Sequence, residues 1–154
     1  MIGQVSRQVK MQSFFARWLT PPGPHALLYR LSGGLFGARL PSVTPRVLLL
    51  TVRGRRSGRE LTTPVVYFEF DDGVAIAGTN GGGDNHPAWF LNLQSDPSAT
   101  IQINRRKRAV RAYVPSGDER SRYWEEICLI HPLFAWYQRQ TTREIPVVVL
   151  REAA

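Results

Sequence analysis

The sequence is poor in cysteine and has no long apolar stretch, and both absences limit what the chain can be. Its single cysteine, Cys128, rules out an internal disulfide, so nothing points to an oxidising compartment. Residues 1–22 lack the unbroken apolar segment of a secretory signal, and the run Val47–Leu50 is far too short to span a bilayer. We therefore expect a cytoplasmic protein.

The usual motifs of nucleotide-binding and nucleophilic enzymes are also missing. No G-x-G-x-x-G follows a predicted strand, no P-loop signature is present, and Gly54–Gly58 lacks the spacing of a nucleophile elbow. His25, His86 and His131 lie far apart without metal-ligand spacing, so we interpret each as a surface or packing residue and expect no metal site. If the chain is an enzyme, a bound cofactor must carry the chemistry.

Lysine is scarce as well: only two of the 20 basic residues are lysine, and the net charge is +8. Four arginines fall between Arg53 and Arg59, and five basic residues fall between Arg105 and Arg111. Because arginine presents a planar fork of donors that suits phosphate and carboxylate, a tight cluster indicates a discrete anion site. The second cluster is interpreted as a solvated basic face. Nucleic-acid binding is not expected, since the clusters lack interleaved aromatic residues.

The hydrophobic pattern predicts a single, mainly β (α+β) domain over residues 1–154. Apolar alternation and turn signals indicate six strands, at residues 47–52, 62–70, 74–78, 99–104, 109–114 and 145–150. The pair Asp71-Asp72 followed by Gly73 is a strong hairpin signal between the second and third strands. Strands that are mostly joined by hairpins favour a small barrel over a parallel sheet.

Three main helices are predicted around these strands, besides a short helix over residues 25–31. Residues 5–19 form an amphipathic helix, appended as residues 1–22, whose apolar stripe comprises Met11, Phe14, Phe15 and Trp18. A second helix covers residues 86–94 with Pro87 in its first turn. A third covers residues 116–130, opened by a capping box of Ser116 and Glu119, with an inner face of Trp124, Ile127 and Ile130.

The loop Gly54–Arg59, between the first two strands, is the first candidate binding site. Its glycines let the backbone turn so that amides face one centre, and Ser57 adds a hydroxyl. Arg55, Arg56 and Arg59 would add charge-assisted contacts around an anion. Considered alone, the same sequence is equally typical of a solvated hairpin tip.

A second candidate site is the glycine-rich loop Thr79–Asn85. Three adjacent glycines are conformationally costly, and close approach of a ligand to bare backbone at the start of a helix is one explanation. A long mobile connection is the alternative. On the following helix, Trp89 and Asn92 are spaced i, i+3 and point the same way, either as core and cap or as a wall for an aromatic ring system.

Four segments appear in the order and spacing of a known family: Leu48–Gly58, Pro64–Tyr67, Asn80–Leu93 and Thr142–Val149. Together they resemble the deazaflavin-dependent nitroreductases, also described as quinone reductases dependent on coenzyme F420. The resemblance covers roughly residues 46–150. It implies a split β-barrel of the flavin-reductase or FMN-binding type with flanking helices, in agreement with the strand pattern.

The resemblance also implies a function and a set of site residues. Reduced coenzyme F420 would transfer a hydride to an electron-poor small molecule such as a quinone, an activated enone or a nitro compound. Tyr67 and Tyr137 would lie near the reacting ring as the candidate catalytic residues. The residues implied to hold the cofactor come from both loops and the following helix: Arg55, Arg56, Ser57, Thr79, Asn80, Gly81, Gly82, Pro87, Trp89 and Asn92.

Other functions stay open at this stage. The same barrel serves FMN-dependent oxidoreductases, and an arginine loop does not by itself distinguish FMN from a deazaflavin. A non-catalytic carrier of F420 or of a lipid would use the same fold. The stripe on residues 5–19, flanked by Lys10 and Arg17, further predicts weak peripheral contact with the inner face of the cell membrane. Docking of this helix on its own domain is the competing interpretation.

Overall fold

The computed structural model describes residues 46–153, and these form a closed six-stranded antiparallel barrel with three helices. The strands are β1 Val47–Arg53, β2 Glu60–Phe70, β3 Gly73–Ala77, β4 Ser98–Ile103, β5 Arg106–Tyr113 and β6 Val147–Glu152. Their order around the barrel is β1-β2-β3-β6-β5-β4, and pairing of β1 with β4 closes it. The predicted barrel and its six strands are confirmed. The helix predicted over residues 5–19 lies outside the described residues.

The helices of the described region are α1 Ala88–Ser95, α2 Gly117–Ile130 and α3 Leu133–Arg139, and a short 3-10 turn covers Asn80–Gly82. Two hairpins use two-residue turns. The first joins β2 to β3, where Phe70 pairs with Gly73 as the sequence predicts. The second joins β4 to β5, with Asn104 at a φ of 54°. Within residues 46–153 no helix is long and apolar enough to cross a membrane.

The main core fills the inside of the barrel. Side chains alternate along a strand, so every second residue of each strand points inward. The inward set includes Leu48, Leu50, Ile76, Ile101 and Val148, all at most 1% exposed. Helix α1 adds Trp89, Phe90 and Leu93 to the same cluster. This short helix therefore packs into the barrel core and is held there by apolar burial.

A second core lies outside the barrel, beneath α2 and α3. It joins outward residues of β2, β3 and β6 to helix residues Tyr123, Ile127 and Phe134. Strand β6 is consequently buried on both faces, which explains its unbroken apolar run Val147-Val148-Val149-Leu150.

Two predictions about α2 are wrong. Ser116 stands at the N-cap without a side-chain hydrogen bond to the helix, so the capping box does not form. The carboxylate of Glu119 instead accepts a hydrogen bond from the Tyr113 hydroxyl at 2.5 Å. The predicted inner residue Ile130 is 61% exposed, because Tyr123 and Ile127, one turn apart, form the buried stripe and Ile130 ends the helix.

Candidate functional site

The two candidate loops follow β1 and β3, and the topology brings them to the same end of the barrel. Strand β2 is antiparallel to both β1 and β3, so these two strands run in the same direction. The arginine loop Gly54–Arg59 follows the carboxyl end of β1, and the glycine-rich segment predicted over Thr79–Asn85 follows that of β3. We call residues 78–83, the turn at the start of that segment, the glycine loop. Helix α1 then begins five residues after the glycine loop, at Ala88, and contacts β1.

Backbone hydrogen bonds wind the arginine loop into a tight turn. The Gly58 amide donates to the Gly54 carbonyl at 2.7 Å, and the Gly54 amide donates to the Arg59 carbonyl at 2.8 Å. Gly58 has a φ of +67°, and a Cβ at Gly54 would lie 2.6 Å from the Ser57 hydroxyl oxygen. The turn therefore favours glycine at position 58 for its φ, and a larger residue at position 54 would force the Ser57 hydroxyl to move. The side chains left exposed on it are those of Arg55, Arg56, Ser57 and Arg59.

A buried amide on α1 fixes the first arginine of this loop. The side-chain oxygen of Asn92 accepts hydrogen bonds from the Arg55 backbone N–H at 3.2 Å and from its guanidinium Nη1 at 2.9 Å. Asn92 is only 3% exposed, so its amide oxygen requires hydrogen-bond partners, and Arg55 supplies two. The structure thus joins two predicted site residues that are 37 positions apart in sequence.

The glycine loop uses backbone conformations that other residues avoid. Gly81 and Gly82 have φ values of +64° and +80°, and Asn80 has a φ of 46°. A Cβ at Gly82 would lie 2.9 Å from the Cβ of Gln140 and 3.3 Å from the Tyr137 carbonyl oxygen. Gly82 is therefore needed both for its φ and for its close packing against the end of α3. This packing also brings the predicted residue Tyr137 beside the loop.

Arg143 is a site residue that the sequence analysis did not single out. Its guanidinium donates to the backbone carbonyls of the glycine loop at 3.0 Å (Gly78), 2.9 Å (Thr79) and 2.9 Å (Gly83). Burial lowers the pKa of Arg143, while the nearby carboxylate of Asp84 opposes that shift. The only signal for Arg143 in the sequence is its place in the family segment Thr142–Val149. The segment does not indicate a role for this arginine, because its partners lie 60 or more positions away in the chain.

His86 lies between this arginine and α1. Its Nδ1 is 3.2 Å from the Arg143 guanidinium, and its ring stacks obliquely on Phe90 at a centroid distance of 4.9 Å. Burial, and next the positive charge of Arg143, lower the pKa of His86. The imidazole is therefore neutral near pH 7 and packs as part of the loop, in line with its interpretation as a packing residue.

We expect this histidine to make the folded state sensitive to mild acid. Because the pKa of His86 is lower in the folded chain than its unfolded value of about 6.5, the unfolded chain binds the extra proton, and stability is lost as pH falls below that value. The replacement His86→Gln keeps an acceptor for Arg143 but cannot be protonated. Thermal midpoints at about pH 7.5 and pH 5.5 should fall further in the wild type than in His86→Gln. An equal fall in both proteins would assign the acid sensitivity elsewhere.

Of three other predicted site residues, Tyr67 and Trp89 are buried and Tyr137 is partly exposed. Tyr67 is 6% exposed, pairs with Ile76 across β2 and β3, and belongs to the inner core together with Trp89, which is 8% exposed. Tyr137 is half-buried, with its ring 6.0 Å from that of Phe134. Burial raises the pKa of Tyr137, so its hydroxyl keeps its proton at neutral pH.

Pro87 forms the joint between the glycine loop and α1. The sequence predicts a helix that begins at His86, but Pro87 has extended backbone angles, φ −64° and ψ 148°, so it is the N-cap and the helix begins at Ala88. Its carbonyl accepts the Phe90 amide at 3.1 Å. Its ring lies 3.4 Å from the position that a Cβ on Gly78 would occupy, so the proline also packs on the base of the loop.

The residues present suit an anionic, flat cofactor. Exposed guanidinium groups on a turn anchored by Asn92 suit a phosphate or an acidic tail. The glycine loop exposes backbone at Gly81 without a side chain in the way. No cluster of three or more metal-ligating side chains occurs in the described part of the chain.

Comparison with known proteins places the chain in a family. The family described as F420H(2)-dependent quinone reductase matches residues 24–152. A Mycobacterium tuberculosis protein whose name also places it among these reductases is 37% identical over 75% of this chain and 94% of its own length. Another from that species, an F420H(2)-dependent quinone reductase, is 31% identical over 82% of this chain and 86% of its own length.

A solved structure described as an F420-H2 dependent reductase has 28% identity and a TM-score of 0.63, covering 68% of this chain and 93% of that one. Its agreement with the barrel confirms the fold predicted from the resemblance. Reduced coenzyme F420 is likewise confirmed as the cofactor that the family uses as hydride donor. The chain therefore belongs to the family of F420H(2)-dependent quinone reductases.

Proposed function

We propose that the two loops and α1 together bind reduced coenzyme F420 and that the protein uses it to reduce a quinone. The observation that carries this proposal is the anchoring of Arg55 by the buried amide of Asn92. This contact holds an exposed guanidinium on a turn that shares one end of the barrel with a bare glycine loop. One site then offers charge for an anionic tail and open backbone for a flat ring.

Each part of the site would have a separate task. Arg55, Arg56 and Ser57 would hold the phosphate and the acidic tail of the cofactor through charge-assisted and hydroxyl hydrogen bonds. The segment Thr79–Gly82 would lie against the ring, where the lack of side chains at the glycines allows close approach. The cofactor, when bound, supplies a hydride for an electrophilic carbon. The chain's own share is to bind, to orient and to exclude water.

The two tyrosines would contribute differently to the chemistry. A tyrosine is protonated at neutral pH and burial raises the pKa of Tyr137 further, so its hydroxyl is suited to donate a hydrogen bond to a carbonyl oxygen of the acceptor. Tyr67 lies in the inner core at 6% exposure. Its proposed place near the reacting ring therefore requires the ring to approach the barrel interior beside the glycine loop.

Binding and turnover experiments with two cofactors test the proposal. We expect fluorescence titration to give micromolar or tighter binding of oxidised F420 and weaker binding of FMN. With reduced F420, a panel of a quinone, an activated enone and a nitro compound should give the fastest oxidation with the quinone. Preferred binding of FMN would favour the flavin alternative, and F420 binding without turnover of any acceptor would favour a carrier.

The membrane contact expected for residues 5–19 falls outside the described residues and stays a prediction. It is tested in the full-length chain by sedimentation with anionic vesicles, comparing the wild type with Phe14→Ser/Trp18→Ser. The double replacement should reduce sedimentation and the turnover of long-chain quinones, and leave F420 affinity unchanged. Equal sedimentation of the two proteins would rule out this membrane contact.

A further inference from the structure

We infer that Arg143 is the positioning residue of the glycine loop: it sets the shape of residues 78–83 for the cofactor without itself touching the cofactor. The inference deepens the proposed function, since it concerns the same loop and rests on that loop binding F420. It assigns a role to a residue at the far end of the chain, between α3 and β6.

The Arg143 guanidinium contacts both the first and the last residues of the glycine loop. One terminal nitrogen, Nη2, donates to two consecutive carbonyls, those of Gly78 and Thr79, where the chain leaves β3. The Nε group donates to the carbonyl of Gly83, where the loop ends. A single planar group thus fixes both ends of the 3-10 turn that carries the positive-φ residues.

The same contacts leave the guanidinium little capacity for a ligand. Of its five N–H donors, the Nε donor and both Nη2 donors are used by the three carbonyls, and Nη1 faces the Nδ1 of His86 at 3.2 Å. At most one donor is left for other partners. Arg143 therefore differs from the exposed arginines of the first loop and acts through backbone geometry.

Helix α3 holds Arg143 in place. The side chain of Gln138 donates to the Arg143 carbonyl at 2.8 Å and accepts the Ile145 amide at 2.9 Å. The Thr141 hydroxyl also donates to the carboxylate of Asp84, in the segment after the loop, at 3.2 Å. Gln138 lies one residue after Tyr137. Helix α3 therefore positions both Arg143, which holds the glycine loop, and the tyrosine proposed to face the acceptor.

The contact with His86 has a further consequence. Arg143 has only donors, so the Nδ1 of His86 must accept and the ring proton must reside on Nε2. Arg143 therefore selects one tautomer of the histidine that joins the loop to α1. This tautomer is a spectroscopic signature of the contact, independent of any cofactor.

The test compares Arg143→Lys and Arg143→Gln with the matched control Arg139→Gln, in which an exposed arginine at the end of α3 is replaced. Lysine keeps the charge but cannot reach the same set of acceptors with a planar fork. Both Arg143 variants should speed amide hydrogen exchange in residues 78–83 and abolish the fixed His86 tautomer seen by nitrogen NMR. They should raise the Kd and KM for F420 about tenfold or more, with a smaller change in kcat. The control should match the wild type.

Unchanged loop exchange and unchanged F420 affinity in a folded Arg143 variant would overturn the inference. If Arg143→Gln does not fold, Arg143→Lys decides the question, since its charge is retained. A loss of thermal stability with normal Kd and normal loop exchange would mean a purely structural role and would also overturn it. The exchange and tautomer measurements need no cofactor, so a wild type that fails to bind F420 would defeat the proposed function without obscuring this result.

Discussion

Replacing Arg55 and Arg56 together by alanine is expected to weaken F420 binding by about a hundredfold or more, because each charge-assisted contact contributes about 1.5–3 kcal/mol and about 1.4 kcal/mol is a factor of ten. Arg55 carries the larger share, since Asn92 already orients its guanidinium and little freedom is lost on binding. Both side chains are exposed, so the variant should stay folded; losing the guanidinium bond from Arg55 to Asn92 should cost about 1 kcal/mol in stability. Fluorescence titration of F420 at low and at high salt measures the effect, and the affinity of the wild type should fall as salt is added.

A charge-matched variant distinguishes a local contact from general attraction. Arg105→Ala/Arg106→Ala removes the same number of charges at the hairpin of β4 and β5, from the turn residue Arg105 and from Arg106 at the start of β5, both exposed. This protein should bind F420 like the wild type, apart from a small effect of net charge. Equal affinities of all three proteins would mean that the arginine loop does not hold the cofactor tail.

The replacement Trp89→Ala is expected to lower the free energy of unfolding by about 3–5 kcal/mol, the usual cost of truncating a buried aromatic side chain. Trp89 is 8% exposed, belongs to the barrel core and meets Phe90 edge-on at 6.2 Å. Domains of this size are stable by about 5–15 kcal/mol, so the loss is a large part of the total. Urea unfolding measures this loss of stability. The affinity for F420 should also fall, because α1 loses its main contact with the barrel core.

Asn92→Ala, three residues along the same helix, is the comparison. It removes two hydrogen bonds to Arg55, so it should cost about 1 kcal/mol per bond in stability and leave a folded protein with clearly weakened F420 binding. Comparing the loss of stability with the loss of F420 affinity in each variant shows which residue supports the fold and which binds the cofactor. A Trp89→Ala protein with the urea midpoint of the wild type would show that α1 does not stabilise the barrel.

Local signals in the sequence were enough to predict the barrel. Apolar alternation marked six strands, and Asp71-Asp72-Gly73 marked the hairpin between β2 and β3. These features depend on contacts between neighbours in the chain, so they are visible without the fold. The arginine loop could also be recognised from consecutive residues alone. The family resemblance then implied that it binds the cofactor.

Element edges and helix faces were less predictable, because they depend on what packs against them. Pro87 was assigned to the first turn of α1, but its extended backbone makes it the N-cap of the helix. Glu119 was assigned to a capping box, but the hydroxyl of Tyr113 is its partner. In the case of Glu119, a neighbour brought close by the fold competes with the local preference.

By itself, the sequence determined the strands, their hairpins and the two loops rich in arginine and glycine, because each of these depends on residues close together in the chain. The tertiary structure alone decided how the loops become a site. Asn92 meets Arg55 across 37 positions, and Arg143 meets Gly78 and Thr79 across 65 and 64. Such contacts form only when β1 and β3 run in the same direction and the segment before β6 returns beside them. The sequence reveals that an arginine is present and charged, but only the closed barrel determines which carbonyls its guanidinium binds.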